Sequence, residues 1–158
     1  MAPNSVEMLV LLGGIYLARA DRNDAKLVFA RALTNAPSDP RALYGMGAAL
    51  MLEGDFARAA ERLQRALAQN PADLQTQLGL GTCLLELRRW EEGLAALRTA
   101  VRIAPQAYPA ALKILVTSGH GRFWLKPSAA ADLLRPAPTP AFNIWQRGIS
   151  AGNIQSRF

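Results

Sequence analysis

Nucleophiles, general bases and metal ligands are scarce in this sequence. Its 158 residues include one histidine, His120, and one cysteine, Cys83. A metal site takes about four ligands, so one thiol and one imidazole on separate segments do not make one. His120 stands between Gly119 and Gly121, in a stretch that reads as an exposed turn. Cys83 lies in an apolar helical run and reads as a small core residue rather than a nucleophile. Glu91 and Glu92 resemble an acid and base pair, but neighbours in sequence do not face each other on a helix. There is no glycine-rich phosphate loop ending in Gly-Lys-Ser or Gly-Lys-Thr. The expectation is a non-catalytic chain with no cofactor and no metal.

What remains is a chain built to pack. Hydrophobic residues make up 51% of it, enough for a core without disulfides, and alanine and leucine favour helices over strands. The formal charge of +6 is uneven. Residues 1–102 carry 12 Lys+Arg against 11 Asp+Glu, a net of +1. Residues 103–158 hold Lys113, Arg122, Lys126, Arg135, Arg147 and Arg157 against Asp132 alone, a net of +5. That imbalance fits an acidic protein surface as a partner better than nucleic acid, which calls for more uncompensated charge and accessible aromatic stacking groups. No segment has the ~18 apolar residues needed to span a membrane. Met8 to Ala18 with Ala18-Arg19-Ala20 has the outline of a signal-peptidase site, but Glu7 precedes it and no Lys or Arg does. The stretch reads instead as the first helix of a cytoplasmic chain, with a periplasmic location or membrane association through a partner left open.

The apolar helices repeat. Pro37, Pro71 and Pro105 are evenly spaced, and the same interval separates Gly13, Gly47 and Gly81, and again Ala32, Ala66 and Ala100. A first unit places Leu9, Leu12, Gly13, Tyr16, Ala25, Phe29, Ala32 and Pro37 in order. A second places Leu43, Met46, Gly47, Leu50, Ala59, Leu63, Ala66 and Pro71. A third places Gln77, Leu80, Gly81, Leu84, Gly93, Leu97, Ala100 and Pro105, departing at Gln77 and mildly at Gly93. Over residues 6–107 this pattern resembles the tetratricopeptide repeat (TPR), a helix pair of about 34 residues whose small side chains let helices A and B approach closely. The expected fold is all-α, a solenoid of antiparallel helix pairs. Its helices should cover about 5–18, 22–35, 40–52, 56–69, 74–86 and 90–103, with polar turns at Asp21-Arg22-Asn23 and Glu53-Gly54-Asp55.

A fourth unit starts and degenerates. Tyr108 to Ser118 continues the pattern, Gly119-His120-Gly121 ends it, and Pro127 can open a short helix to Leu134 or Arg135. Residues 108–135 are expected to cap the array, completing a domain of residues 1–135 with repeats at about 6–39, 40–73 and 74–107. The segment 136–158 opens with Pro136, Pro138 and Pro140, a stiff linker, and continues as a tail that reads equally as disordered or as a docking segment around Phe142, Ile144 and Trp145, with folding back onto the array as a third reading. Phe123, Trp124 and Lys126 form a mixed basic and aromatic cluster in the capping region, read mainly as core.

The resemblance implies a concave groove on the inner faces of the A helices. In this chain those positions are Val10, Gly14, Leu17, Tyr44, Ala48, Met51, Leu78, Thr82 and Leu85, an apolar set suited to a hydrophobic peptide or helix. The TPR clamp for acidic chaperone termini uses Lys and Asn. The matching positions here hold Val10, Gly14, Gly45, Gln75 and Gly79, so that ligand is not expected. On helix 2B, Arg58, Arg62 and Arg65 with Asp55 and Glu61 read as a solvated, ion-paired face. The functional expectation is a protein-binding scaffold or adaptor, a subunit supporting a larger complex, in a chain whose Ala- and Arg-rich composition looks bacterial. The alternatives are a dedicated small TPR chaperone for a secreted or membrane-inserting client, or a regulatory or targeting subunit of an enzyme complex.

Overall fold

Polar side chains start the helices at a fixed interval. In the computed structural model, which describes residues 5–118 and 127–135, Ser5, Asp39 and Asp73 occupy the position before helix A of successive repeats. Ser5 Oγ accepts from the Met8 amide at 3.2 Å, and Asp39 accepts from the Arg41 and Ala42 amides at 3.0 and 2.9 Å. Asp73 accepts from the Thr76 amide at 2.8 Å and from the Thr76 hydroxyl. Each such cap satisfies amides that the helix leaves unpaired and is worth about 1 kcal/mol. The helices that follow are α1 (Val6–Ala18), α2 (Arg22–Asn35), α3 (Pro40–Glu53), α4 (Phe56–Gln69), α5 (Leu74–Glu86) and α6 (Trp90–Ile103). A 3-10 turn (Pro105–Ala107) leads to α7 (Tyr108–Thr117), and α8 (Pro127–Leu134) begins at Pro127 as expected. No strand occurs among the described residues, and the fold is all-α. The expectations for His120, Phe123, Trp124, Lys126, Phe142, Ile144 and Trp145 fall outside the described residues.

Consecutive helices pack as antiparallel pairs, α1 on α2, α3 on α4 and α5 on α6, and each B helix also packs on the next A helix. The three repeated glycines sit at the crossing of A on B. A Cβ at Gly13 would lie 2.5 Å from Phe29, one at Gly47 2.9 Å from Leu63, and one at Gly81 2.7 Å from Leu97. Phe29, Leu63 and Leu97 are all buried. Each is therefore a knob seated on bare backbone, and the helices approach as closely as they do because the side chain is missing.

The turn between A and B has its own periodic requirement. Ala20, Gly54 and Arg88, which keep the repeat interval, adopt left-handed φ values of 59°, 81° and 61°. Only the second repeat supplies the residue that adopts this conformation without a Cβ penalty.

The departures from the repeat pattern also have structural reasons. Leu9 and Leu43 are buried core residues, whereas Gln77 at the same position is half-buried and donates from Nε2 to the Pro71 carbonyl at 3.2 Å, tying the inter-repeat turn. At the C-terminal end, α7 and α8 lie over α5 and α6, closing a cluster of Leu85, Leu97, Ala111, Leu115, Ala130 and Leu134. Arg98 Nε donates to the Leu133 carbonyl at 2.7 Å, fastening α8 to α6. Arg58 pairs with Asp55 at 2.6 Å, and Arg65 donates to the Pro37 carbonyl at 3.1 Å, so the outer face of α4 carries local pairs.

Two stability predictions come from the turns and caps. Arg88→Gly should stabilise the protein by about 0.5–1 kcal/mol and Gly54→Ala should destabilise it by about 1 kcal/mol, read from urea midpoints at unchanged slope. For Asp39, burial raises the carboxyl pKa, but hydrogen bonds from Arg41 and the Ala42 and Arg41 amides, with the Arg41 charge, outweigh it, and the net shift is downward. A depressed folded pKa gives stability present above the unfolded value, about 4, and lost as pH falls through the folded value. Asp39→Asn keeps a capping side chain but cannot titrate, so its stability should fall less steeply than wild type in an acid titration followed by circular dichroism.

Candidate functional site

A cavity of about 370 Å³ opens between α1 and α3 and extends to the start of α5. Its walls are Val10, Gly14 and Leu17 of α1 and Tyr44 and Gly45 of α3. Phe29 and Ala66, from the B helices, form its floor, and Asn70, Asp73, Gln75 and Thr76 close one end. Spacing puts the walls there: Val10, Gly14 and Leu17 recur at four and three, which places them on one stripe of α1. Gly14 leaves the mouth open, since a Cβ built there meets nothing within 4 Å.

The lining is mostly apolar, and it includes two charged groups, Arg41 and Asp73. Arg41 pairs with Asp39 at 3.1 Å, and Asp73 holds the amide and hydroxyl of Thr76. Tyr44 is half-buried, and burial, then the nearby Asp73 charge, raises its phenol pKa. It is therefore a neutral hydroxyl on a flat aromatic face at neutral pH. Such a site can seat an apolar side chain and offer it one hydrogen bond. Its one hydroxyl–carboxylate pair among the lining residues, Thr76 with Asp73, is the cap of α5.

Four of the nine groove positions expected from sequence, Val10, Gly14, Leu17 and Tyr44, line this cavity together. Ala48, Met51, Leu78 and Thr82 are half-buried further along the same side and do not line it. The Thr82 hydroxyl is taken up by the Leu78 carbonyl at 3.0 Å. Leu85 must be corrected: it is fully buried and offers no surface. It packs with Ala111, Leu115, Ala130 and Leu134 of α7 and α8, and Gly93 adds room, since a Cβ there would lie 3.0 Å from Leu85 Cγ. Sequence reasoning missed Phe29 and Ala66 as floor residues because it assigned the groove to A helices alone. It also missed Asp73 and Thr76, though the even spacing of Ser5, Asp39 and Asp73 marks that inter-repeat turn.

Known proteins agree with this architecture. Two tetratricopeptide-repeat family models match, one over residues 10–60 and one over residues 50–115. The chain belongs to the TPR family. No curated protein sequence matches it significantly. Among solved structures it is similar to MamA, with 21% identity, a TM-score of 0.67, and coverage of 94% of this chain and 83% of that one. It is similar to the Yersinia enterocolitica type III secretion translocator chaperone SycD, with 17% identity, a TM-score of 0.64, and coverage of 82% and 90%. It also resembles an O-GlcNAc transferase of Thermobaculum terrenum, with 24% identity and a TM-score of 0.69, over 81% of this chain but 24% of the transferase. At these identities the likeness defines the fold. Among the described residues no cluster of His, Cys, Asp or Glu could hold a metal ion, and no helix is long and apolar enough to cross a membrane.

Cys83 is fully buried, and burial pushes its thiol pKa up to about 12. The thiolate is the reactive form, so a neutral-pH thiol reagent should leave the native protein unlabelled and modify Cys83 only after denaturation. Fast labelling of the native chain would contradict this placement.

Proposed function

We propose that the protein is a non-catalytic scaffold or adaptor that captures an apolar side chain of a partner's peptide or helix in the cavity between α1 and α3. The observation that carries this reading is the conjunction of an open mouth at Gly14, apolar walls at Val10 and Leu17, and the half-buried ring of Tyr44. A preformed apolar recess with a single polar contact suits an anchor residue, and helix-in-groove or extended-peptide recognition supplies such anchors. Ala48, Met51, Leu78 and Thr82 would extend the contact along the groove, while Lys113 and the other basic residues after residue 103 would meet an acidic surface of the partner. The bound protein would be held as part of a larger complex. Absence of cationic clamp residues at Val10, Gly14, Gly45, Gln75 and Gly79 argues against a carboxylate-terminated ligand.

Gly14 allows a clean test. An arginine there has room to leave the helix surface, replaces a poor helix former with a good one, and fills the mouth of the cavity. Tagged wild-type protein, Gly14→Arg and Tyr44→Ala would be purified from native cells and co-purifying proteins identified by mass spectrometry. A stoichiometric partner lost from both variants, with helical circular dichroism unchanged, is the expected result. A partner retained by Gly14→Arg would remove the cavity from the binding mode. A partner that leaves after delivery, rather than remaining stoichiometric, would make the module a client chaperone instead of a scaffold.

A further inference from the structure

The two charged groups that line the cavity differ in how they are matched. Arg41 donates to Asp39 Oδ2 at 3.1 Å, and Glu7 adds a second negative charge toward it from α1. Glu7 lies on the stripe of α1 that carries Val10, Gly14 and Leu17, since these residues recur at three and four. Asp73 is half-buried, and no cation pairs with it among the described residues. Both hydrogen bonds its carboxylate accepts come from Thr76 and fall on Oδ2. Oδ1 is left open.

Backbone and ring reinforce that sign at the Asp73 end. Ala66 and Asn70 bring the last turn of α4 to the cavity, and that turn holds no basic residue. Its unpaired carbonyls and the negative end of the helix dipole favour a cation. The positive end of α5 lies at the same point, but Asp73 Oδ2 already answers it. Burial, then the Asp73 charge, raises the Tyr44 phenol pKa, so ring and carboxylate are neighbours. An aromatic face beside a carboxylate with an open oxygen suits a cationic head group, through cation–π attraction and a charge-assisted hydrogen bond. The amides of Asn70 and Gln75 line the same end.

We propose that the segment seated in the cavity carries a lysine or arginine beside its apolar anchor, and that this cation binds between Asp73 Oδ1 and the Tyr44 ring. The cation site rests on the reading of the cavity as the seat of an apolar anchor, and it fixes which residue accompanies that anchor. Val10 and Leu17 take the anchor, while the stem of the basic side chain lies along the ring, as long cationic side chains do on apolar surface. Arg41 is no obstacle, because Asp39 and Glu7 outnumber its single charge. The preference is the reverse of that in the TPR clamp for acidic termini, whose cationic positions here hold Val10, Gly14, Gly45, Gln75 and Gly79.

The test immobilises the full chain and offers it a library of short synthetic peptides, acetylated and amidated at their ends, with one fixed leucine and randomised flanks. Bound peptides are sequenced by mass spectrometry, and wild type should enrich lysine and arginine at a position adjoining the leucine. Replacing that residue by glutamine in a selected peptide should weaken binding about tenfold or more, the scale of one charge-assisted hydrogen bond, and added salt should narrow the gap. Asp73→Asn keeps an oxygen for the Thr76 cap and puts an amide donor where Oδ1 stands. It should bind the basic and glutamine peptides alike, with circular dichroism and urea midpoint near wild type. Gly14→Arg should bind neither. Equal wild-type affinity for the two peptides, both lost in Gly14→Arg, would overturn the cation site and leave the cavity as the seat of an apolar anchor. A preference for the basic peptide that persists in Asp73→Asn would overturn it as well, and enrichment of acidic residues would assign the recognised charge to Arg41 instead. Binding that survives Gly14→Arg, or no selection from the library, would overturn the cavity reading and the cation site together.

Discussion

The distance at which each A helix crosses its B helix governs this molecule. Gly13, Gly47 and Gly81 leave bare backbone at the crossings, and Phe29, Leu63 and Leu97 fill the space. A methyl group at any of the three would lie within van der Waals collision of a buried side chain. Interaxial distance follows from the side chains at the contact, so this choice sets how each helix pair presents its flanks to the next pair. The effect is propagated rather than local. Phe29 fills the crossing at Gly13 and also reaches Gly45 of the following repeat, so one ring fixes both the first helix pair and its junction with the second. The same ring is the floor of the cavity. Core packing and binding geometry therefore depend on one side chain.

Most of the fold was legible because repetition makes each position testable three times over. Helix limits expected from apolar spacing and turn residues agree with the observed ones within a residue, and the prolines lie just beyond the B helices. The helix-starting residues Ser5, Asp39 and Asp73 and the left-handed positions Ala20, Gly54 and Arg88 keep the same interval, but residue type conceals it. Serine stands in for aspartate in one case, and alanine and arginine stand where glycine would be recognised in the other. Backbone conformation is imposed on those residues by the packed helices on either side, and so it cannot be read from them.

The groove was half legible. Periodicity places residues on the inner side of an A helix but does not say whether a later helix covers them. Leu17, Met51 and Leu85 are equivalent in the pattern, yet the first two are half-buried and the third is closed off. The difference lies in the cover: α7 and α8 close over Leu85, and glycine at 93, in place of the alanines at 25 and 59, gives it a closer fit. The floor residues were hidden for the opposite reason, since Phe29 and Ala66 are pattern-defining core positions that also happen to face the recess.

These two deviations give the array a direction. At the C-terminal side, Gly93, Leu85 and the α7–α8 cap convert the inner surface into core, with Arg98 fastening the cap. At the N-terminal side nothing comparable lies among the described residues: α1 keeps its inner stripe open to the cavity and its outer stripe open to solvent. A solenoid made of identical units would offer the same modest surface everywhere. Here small and large residues are exchanged at matching register positions, glycine for leucine at 45 and 11 and glycine for alanine at 93 and 59. The most exposed large apolar side chains, Leu11, Ile15 and Leu27, lie in the first helix pair, although Ile103 and Val116 are exposed near the other end. Exposed apolar surface in a folded chain is a cost unless a contact removes it from water. Among the described residues, the first helix pair thus keeps apolar side chains on both the cavity side and the outer side of α1.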